Sequence, residues 1–410
     1  MKKLLVLYVL ICPIWFGLSM DSSAASKQKT YTISTKSKPL QKGIIKSKKY
    51  TNKTKHFYLL DGYLRKIEKN KGGKLIVKKG TYKIARTLYI PSNTTIEFQD
   101  GVHLEKLKST DTKYVKPTNE LFMFLAPSKA NKKALYSQYN GQKNIKLVGK
   151  GNVTVDLKYK KYVKAIVMGH NANITIDNLD FINAYGASFV HMVASKNVII
   201  KNSEFANSHQ TIEAQEEKNA IHIDTPDAKT KDWTYDWSKF DNTPNANVTI
   251  KNNIFVAVDR AVGTRKYSMG KYHKNIHLLN NEIKNVRSEA IRVINWDRPV
   301  ITGNQIDTVG DEDNFKSLRG ILVSGAKYPT ITHNKFSTVA RGVQFIVWKN
   351  QGYGQSFPLV RNSLSTKNKQ ALKQNEFNYT EELFIRINDK GYEDYGNPEK
   401  IYIDEKYRFQ

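Results

Sequence analysis

One unit recurs along the middle of the chain: a short strand, an asparagine, then an apolar residue. It reads NITIDNLDF at 173–181, NVIIKNSEF at 197–205, NVTIKNNIF at 247–255, NIHLLNNEI at 275–283, PVITGNQI at 299–306 and PTITHNKF at 329–336. The unit starts lie 24, 50, 28, 24 and 30 residues apart. A second apolar strand follows in most periods: ASFVHMV, AIHID, AIRVI, GILVS and GVQFIV. A unit this small cannot bury its own apolar face, whereas stacked copies can. A leucine-rich horseshoe lacks its leucine pattern, and a propeller needs four strands in a longer repeat. An all-β solenoid remains, a parallel β-helix with coils about 4.8 Å apart. The asparagines recur at one turn position, which predicts an Asn ladder running coil to coil with backbone in the left-handed region. The 50-residue step is one coil plus an insertion over 227–245 that is rich in aromatics.

The flanks follow from the same reading. In HFYLLDGYLRKIEKN the residues Tyr58, Leu59, Tyr63, Leu64 and Ile67 fall at helical spacing, ended by Gly72-Gly73. This predicts a short amphipathic helix capping the N-terminal end. Residues 26–55 are rich in Lys, Ser and Thr and read as a flexible basic segment. The β-helix is expected over 56–350, with 351–410 as a capping or flanking segment.

Residues 1–25 have the pattern of a secretory signal peptide: Lys2 and Lys3, an apolar run from Leu4 to Leu18, and small residues from Ser22 to Ala25. The single cysteine, Cys12, lies inside it, so disulfide and thiol chemistry are not expected in the mature chain. The expected location is extracellular, with possible retention at an anionic cell wall. The formal charge is +29, from 66 Lys+Arg against 37 Asp+Glu. Such a surface attracts polyanions. With a secretion signal, the expected partner is an acidic polysaccharide or wall rather than nucleic acid, and no membrane partner is expected.

The stretch GGKLIVKKGTYKI followed by TLYIPSNTTIEFQDGVHLEK resembles the opening coils of the pectin-lyase-like superfamily of right-handed β-helices, and the NVTIKNNIF units resemble its later coils. The resemblance covers roughly residues 58 to 350. It implies a right-handed single-stranded parallel β-helix. It also points to secreted proteins related to family 28 glycoside hydrolases. The catalytic series of that family (Asn-Thr-Asp, Asp-Asp, Gly-His-Gly, Arg-Ile-Lys) is absent, so polygalacturonase chemistry is not implied. The resemblance leaves both monomer and trimer open, and leaves room for a calcium ion, although no clustered Asp pair or other metal signature supports one.

In a β-helix, side chains of one strand position stack in rows. Aligning the second strands places His222, Arg292, Leu322 and Val190 in one outward row and Asp224, Ile294, Ser324 and Met192 in the next. Asp224 is the first candidate for a catalytic carboxylate. Glycoside hydrolysis needs a partner at about 5 Å for retention or about 8 Å for inversion. The candidates are Glu213, Glu217 and Asp259, then Glu216, Asp227, Glu289 and Asp297. His222 is a candidate base, and His191 falls in the alternate, inward register. Arg260, Arg265 and Arg292, with Arg319 and Arg341, form a guanidinium series suited to successive carboxylates. Trp233, Tyr235 and Trp237 in the insertion, with Trp296 opposite, are candidate sugar platforms. The expectation is a glycoside hydrolase acting on an extracellular glycan. The alternatives are a lyase or epimerase on an acidic polysaccharide, and a non-catalytic glycan-binding or adhesion solenoid.

Overall fold

The structure is a computed structural model that describes residues 28–209, 218–229, 232–264, 270–310, 318–347, 360–391 and 397–409. The expected signal peptide at 1–25, Glu213, Glu216, Glu217 and Arg265 lie outside the described residues. The described strands form three sheets of 11 strands each, and every pairing is parallel except the one between Phe384–Asn388 and Glu399–Tyr402. Through the body of the molecule consecutive strands mostly go to different sheets and pair with their counterparts one coil away, which is a parallel β-helix.

Alternation drives the packing. In Ala172–Asp177, Ile174 and Ile176 point inward and are fully buried. They stack in register on Val198 and Ile200, then Val248 and Ile250, then Ile276 and Leu278. Each such side chain contributes roughly 1.5–3 kcal/mol on burial. The second sheet adds Phe181, Phe205 and Phe255, whose stacked rings lie 5.0 Å apart centroid to centroid.

The asparagines form two ladders. One is exposed and runs Asn93, Asn144, Asn173, Asn197, Asn247, Asn275, each amide donating to the previous side-chain oxygen at 2.8–3.1 Å. All six residues have φ between 52° and 59°, the left-handed region that Asn tolerates. The other ladder is buried and runs Asn253, Asn281, Asn304, Asn334, Asn375, with amide contacts of 2.9–3.1 Å. Asn304 sits mid-ladder. Its oxygen accepts both the backbone and side-chain N–H of Asn281, and its amide reaches the Leu278 carbonyl at 2.9 Å. Asn304→Ala strands these buried groups, at about 1–3 kcal/mol for each group left unpaired. We therefore expect a loss of about 3 kcal/mol, measured as a lowered urea midpoint.

The ends differ from expectation. From residue 28 on, the expected basic segment is not free. Thr30–Ile33 adds a strand to the first sheet, pairing with Gly73–Val77, and Ile33 and Ile44 are buried. The few apolar residues among the lysines are spaced to cover the first coil, so the basic composition masked a strand and a 3-10 turn at Lys42–Lys46. Helix Lys55–Lys69 follows, with Phe57, Leu59, Leu60, Leu64 and Ile67 buried. At the far end the coil does not stop near 350. Glu376–Asn378 and Phe384–Asn388 extend the second and third sheets, and helix Thr366–Leu372 packs beside the last strand of the first. No described helix is long and apolar enough to cross a membrane.

Candidate functional site

The third sheet carries the site. Its central strands are Lys164–Gly169, Val190–Val193, Asn219–Asp224, Arg260–Gly263 and Ile291–Ile294. Here the expected rows need correction at one strand. His222 is flanked in register by His191, not Val190, and by Gly263, which leads on to Arg292 and Leu322. Val190 pairs with Ile221 on the inward face, and Asp224 pairs with Val193 rather than Met192. The alignment counted back from the strand that follows. Asp297 registers with Lys274 and through it with Lys196, so the turn after Ile294 is as long as the one after Val193. Pro299 is the counterpart of Val198 and not of Asn197, and a slip of one residue exchanges the faces of a strand. His191 therefore points outward beside His222, with rings 4.8 Å apart and nearly perpendicular.

The aromatic insertion folds down onto this outward face. Trp233 and Trp237 are 1% and 4% exposed and pack on Met123, Leu125, Val167 and Val193. Gly169 lies directly beneath, where a Cβ would meet the Trp233 ring at 2.7 Å. Indoles buried this way have no face to offer a sugar, so the loop is a second small core covering the sheet. Tyr235 is half-buried and donates its hydroxyl to Glu120 at 3.1 Å. Trp296 is likewise no groove wall: it is fully buried in the main core and donates its N–H to Thr264.

The loop also delivers Asp232, one of the acidic residues interleaved with its aromatics. Its Oδ2 lies 2.6 Å from His222 Nε2 and 3.8 Å from His191 Nε2. These three side chains, with Tyr162, Lys164, Ser188, Lys218 and Asn219, line a cavity of about 130 Å³. Asp224 is 1% exposed beneath the loop. Its Oδ2 lies 3.5 Å from His222 Nε2, and its Oδ1 accepts the Thr225 backbone N–H.

Charge in this cluster follows from burial and neighbours. Burial opposes a charged His222, but the Asp232 and Asp224 carboxylates outweigh it and push the imidazole up to about 9. Asn219 works against them. Its amide nitrogen reaches His222 Nδ1 at 2.6 Å and the Gly263 carbonyl at 3.0 Å, while its oxygen accepts from Arg260 at 3.1 Å. That orientation presents an N–H to Nδ1 and favours a proton on Nε2, facing Asp232. His191 is held well below its ordinary value by burial and by His222. Burial raises Asp224 to about 6.

Of the other described candidate carboxylates, Glu289, Asp259 and Asp297 are bound to guanidiniums and Asp227 to a backbone N–H. Glu289 accepts from Arg260 at 2.7 Å and Arg292 at 2.9 Å, with Arg319 at 3.5 Å. Burial resists its charge, but the three guanidiniums hold it down at about 2. Asp259 is paired with Arg287 at 2.6 Å and caps the Lys218 backbone N–H. Asp297 contacts Arg298 at 3.4 Å. Asp227 caps the Lys229 backbone N–H. Of the arginine series, Arg260 is fully buried and Arg292 is mostly buried on Glu289, so both serve this cluster. The cavity residues Tyr162, Lys164, Ser188, Lys218 and Asn219 were not anticipated. One signal was available: Lys164 opens KAIVMG just as Asn219 opens NAIHID, two positions before an inward isoleucine.

No known protein-family profile matches the chain. It is 23% identical over 285 residues to the plasmin and fibronectin-binding protein A of Streptococcus pneumoniae, a match covering 63% of this chain and 38% of that protein. The chain thus spans well under half of that relative. The crystal structure of PfbA, a surface adhesin of the same organism, superposes with a TM-score of 0.59 at 17% identity, covering 81% of this chain and 80% of the other. A second structure of this surface protein and adhesin gives a TM-score of 0.54 at 15% identity, covering 81% and 87%. The fold shared with these structures is the parallel β-helix. Likeness at this level carries the β-helix alone. The chemistry of the site has to come from its own residues.

Proposed function

We propose that this chain is an extracellular binding solenoid of the adhesin type, which holds an anionic glycan at the Lys164–Lys218 cavity without cleaving it. One observation carries the reading. Among the described residues, the carboxylates near the cavity are committed to histidine, arginine or backbone N–H partners, and no second carboxylate joins Asp232 at the cavity wall. Among the described residues no two-carboxylate arrangement of the glycosidase kind forms at the cavity, whereas the cations suited to holding an acidic ligand are present. The net charge of +29 and the similarity to a plasmin and fibronectin-binding protein support the same reading.

The test is binding of purified residues 26–410 to uronate-bearing and neutral polysaccharides, with fibronectin and plasmin alongside. Acidic polymers are expected to bind with strong salt dependence, and Lys164→Ala with Lys218→Ala to weaken binding at least tenfold. Products should show neither new reducing ends nor new ultraviolet absorbance. Equal binding of neutral polymers, or no effect of the double substitution, would refute the assignment.

A second reading rests on a different feature of the cavity. Lys164 and Lys218 to neutralise a uronate, the neutral His191 to take its α-proton and Tyr162 to protonate the leaving oxygen are the groups a lyase needs. An ultraviolet-absorbing product that is lost in Tyr162→Phe would establish this reading and displace the first.

A further inference from the structure

We propose that His191, His222 and Asp232 form a site for one divalent transition-metal ion of the zinc class, with its fourth position open to the cavity. The three come from two adjacent coils and the covering loop. Each offers one ligand atom, and all three atoms lie within 4.8 Å of one another. Two of the separations are 2.6 and 3.8 Å. Tetrahedral zinc with bonds of about 2.0–2.1 Å sets its ligand atoms roughly 3.4 Å apart, between these two values. A small swing of Asp232, which is carried on the loop, equalises them.

A second observation points to a ligand. His191 Nε2 is fully buried, has no hydrogen-bond partner, and lies on the side of the ring nearest Asp232. A buried polar atom left unpaired is costly, and a bound cation would satisfy it. The ligand chemistry selects the metal. Two imidazoles and one carboxylate suit zinc and its neighbours, whereas calcium takes six to eight oxygens that this cluster does not supply. The cavity gives the open position room for a water molecule or a ligand oxygen.

Asn219 sets the affinity. A metal on His222 Nε2 requires the proton on Nδ1, yet the Asn219 amide, anchored by Arg260 and Gly263, directs an N–H there. Metal binding must turn this amide over. Asn219→Asp removes the obstacle, because a carboxylate accepts the Nδ1 proton and still receives Arg260. Partners of this kind alter metal affinity by about 10- to 100-fold.

The experiment is calorimetric titration of Zn²⁺ into the metal-stripped full chain, with Co²⁺ absorption as a second readout. One ion per chain is expected, with the visible bands of tetrahedral Co²⁺ and no competition from excess Ca²⁺. Asp232→Ala, in the loop, should abolish binding while leaving the circular dichroism unchanged, and Asn219→Asp should tighten it at least tenfold. No uptake at a hundred micromolar Zn²⁺, or uptake indifferent to Asp232→Ala, would overturn the proposal. Because no glycan is present, its failure would leave the glycan reading intact.

Discussion

Replacing Glu289 with glutamine is expected to destabilise the fold by about 3–5 kcal/mol, the usual cost of stripping one partner from a buried ion pair. Arg260 is fully buried and Glu289 nearly so, and the carboxylate also receives Arg292 and Arg319. Glutamine keeps the shape and removes the charge, leaving guanidiniums to repel one another in a medium that solvates them poorly. The pH dependence gives a second reading of the same contact. The folded carboxyl lies at about 2, below its ordinary 4.5. Its contribution is therefore complete above about pH 4.5 and is lost as the pH falls toward 2. Urea midpoints measured across that range should drop steeply in the parent and less steeply in Glu289→Gln. Asp297→Asn is the contrast. Its partner Arg298 is largely exposed, so about 0–1 kcal/mol is expected. Equal costs for the two substitutions would mean that the cluster is solvated and the burial argument fails. The cluster also touches the site, because Arg260 links Glu289 to Asn219, and Asn219 orients His222.

The second large effect is expected at Phe205. Its ring is fully buried between Phe181 and Phe255, 5.0 Å from each, with Phe189 at 6.0 Å. Phe205→Ala opens a cavity in the middle of this column, and buried Phe→Ala changes cost about 3–5 kcal/mol. In a solenoid each coil contacts only its neighbours, so the damage should stay local. Hydrogen exchange is expected to accelerate in strands Asp180–Tyr185, Glu204–His209 and Ile254–Val256, while Gly80–Ile84, several coils away, keeps its protection. Uniform loss of protection would show that the molecule unfolds as one unit.

The solenoid was legible because its determinants are periodic. Inward pairs such as Ile174 and Ile176, and asparagines such as Asn173 and Asn247, repeat with the coil and need no knowledge of distant contacts. The candidate site was only partly legible, because it depends on two things that are not periodic. Whether Pro299 matches Asn197 or Val198 in the following strand decided whether Val190 or His191 stands beside His222. The path of a long insertion decided that Trp233 lies buried on Val167 and Val193, and that Asp232 returns to a histidine ten residues back. Composition misled at the N-terminal end for a related reason. A single strand such as Thr30–Ile33 needs only one or two apolar side chains when a finished coil is waiting beneath it.

The order of the sheets has a mechanical consequence. Thr30–Ile33 ends the stack on one side and Arg408–Phe409 on the other, and the hydrogen bonds between coils run along the line joining them. A tether pulled at both ends therefore opens these bonds row by row rather than shearing them all at once. Each coil released would pay out about 80–100 Å of chain for its 24 to 30 residues. Under tension such a molecule lengthens in steps from its ends, and the central coils with the His222 cavity are the last to yield.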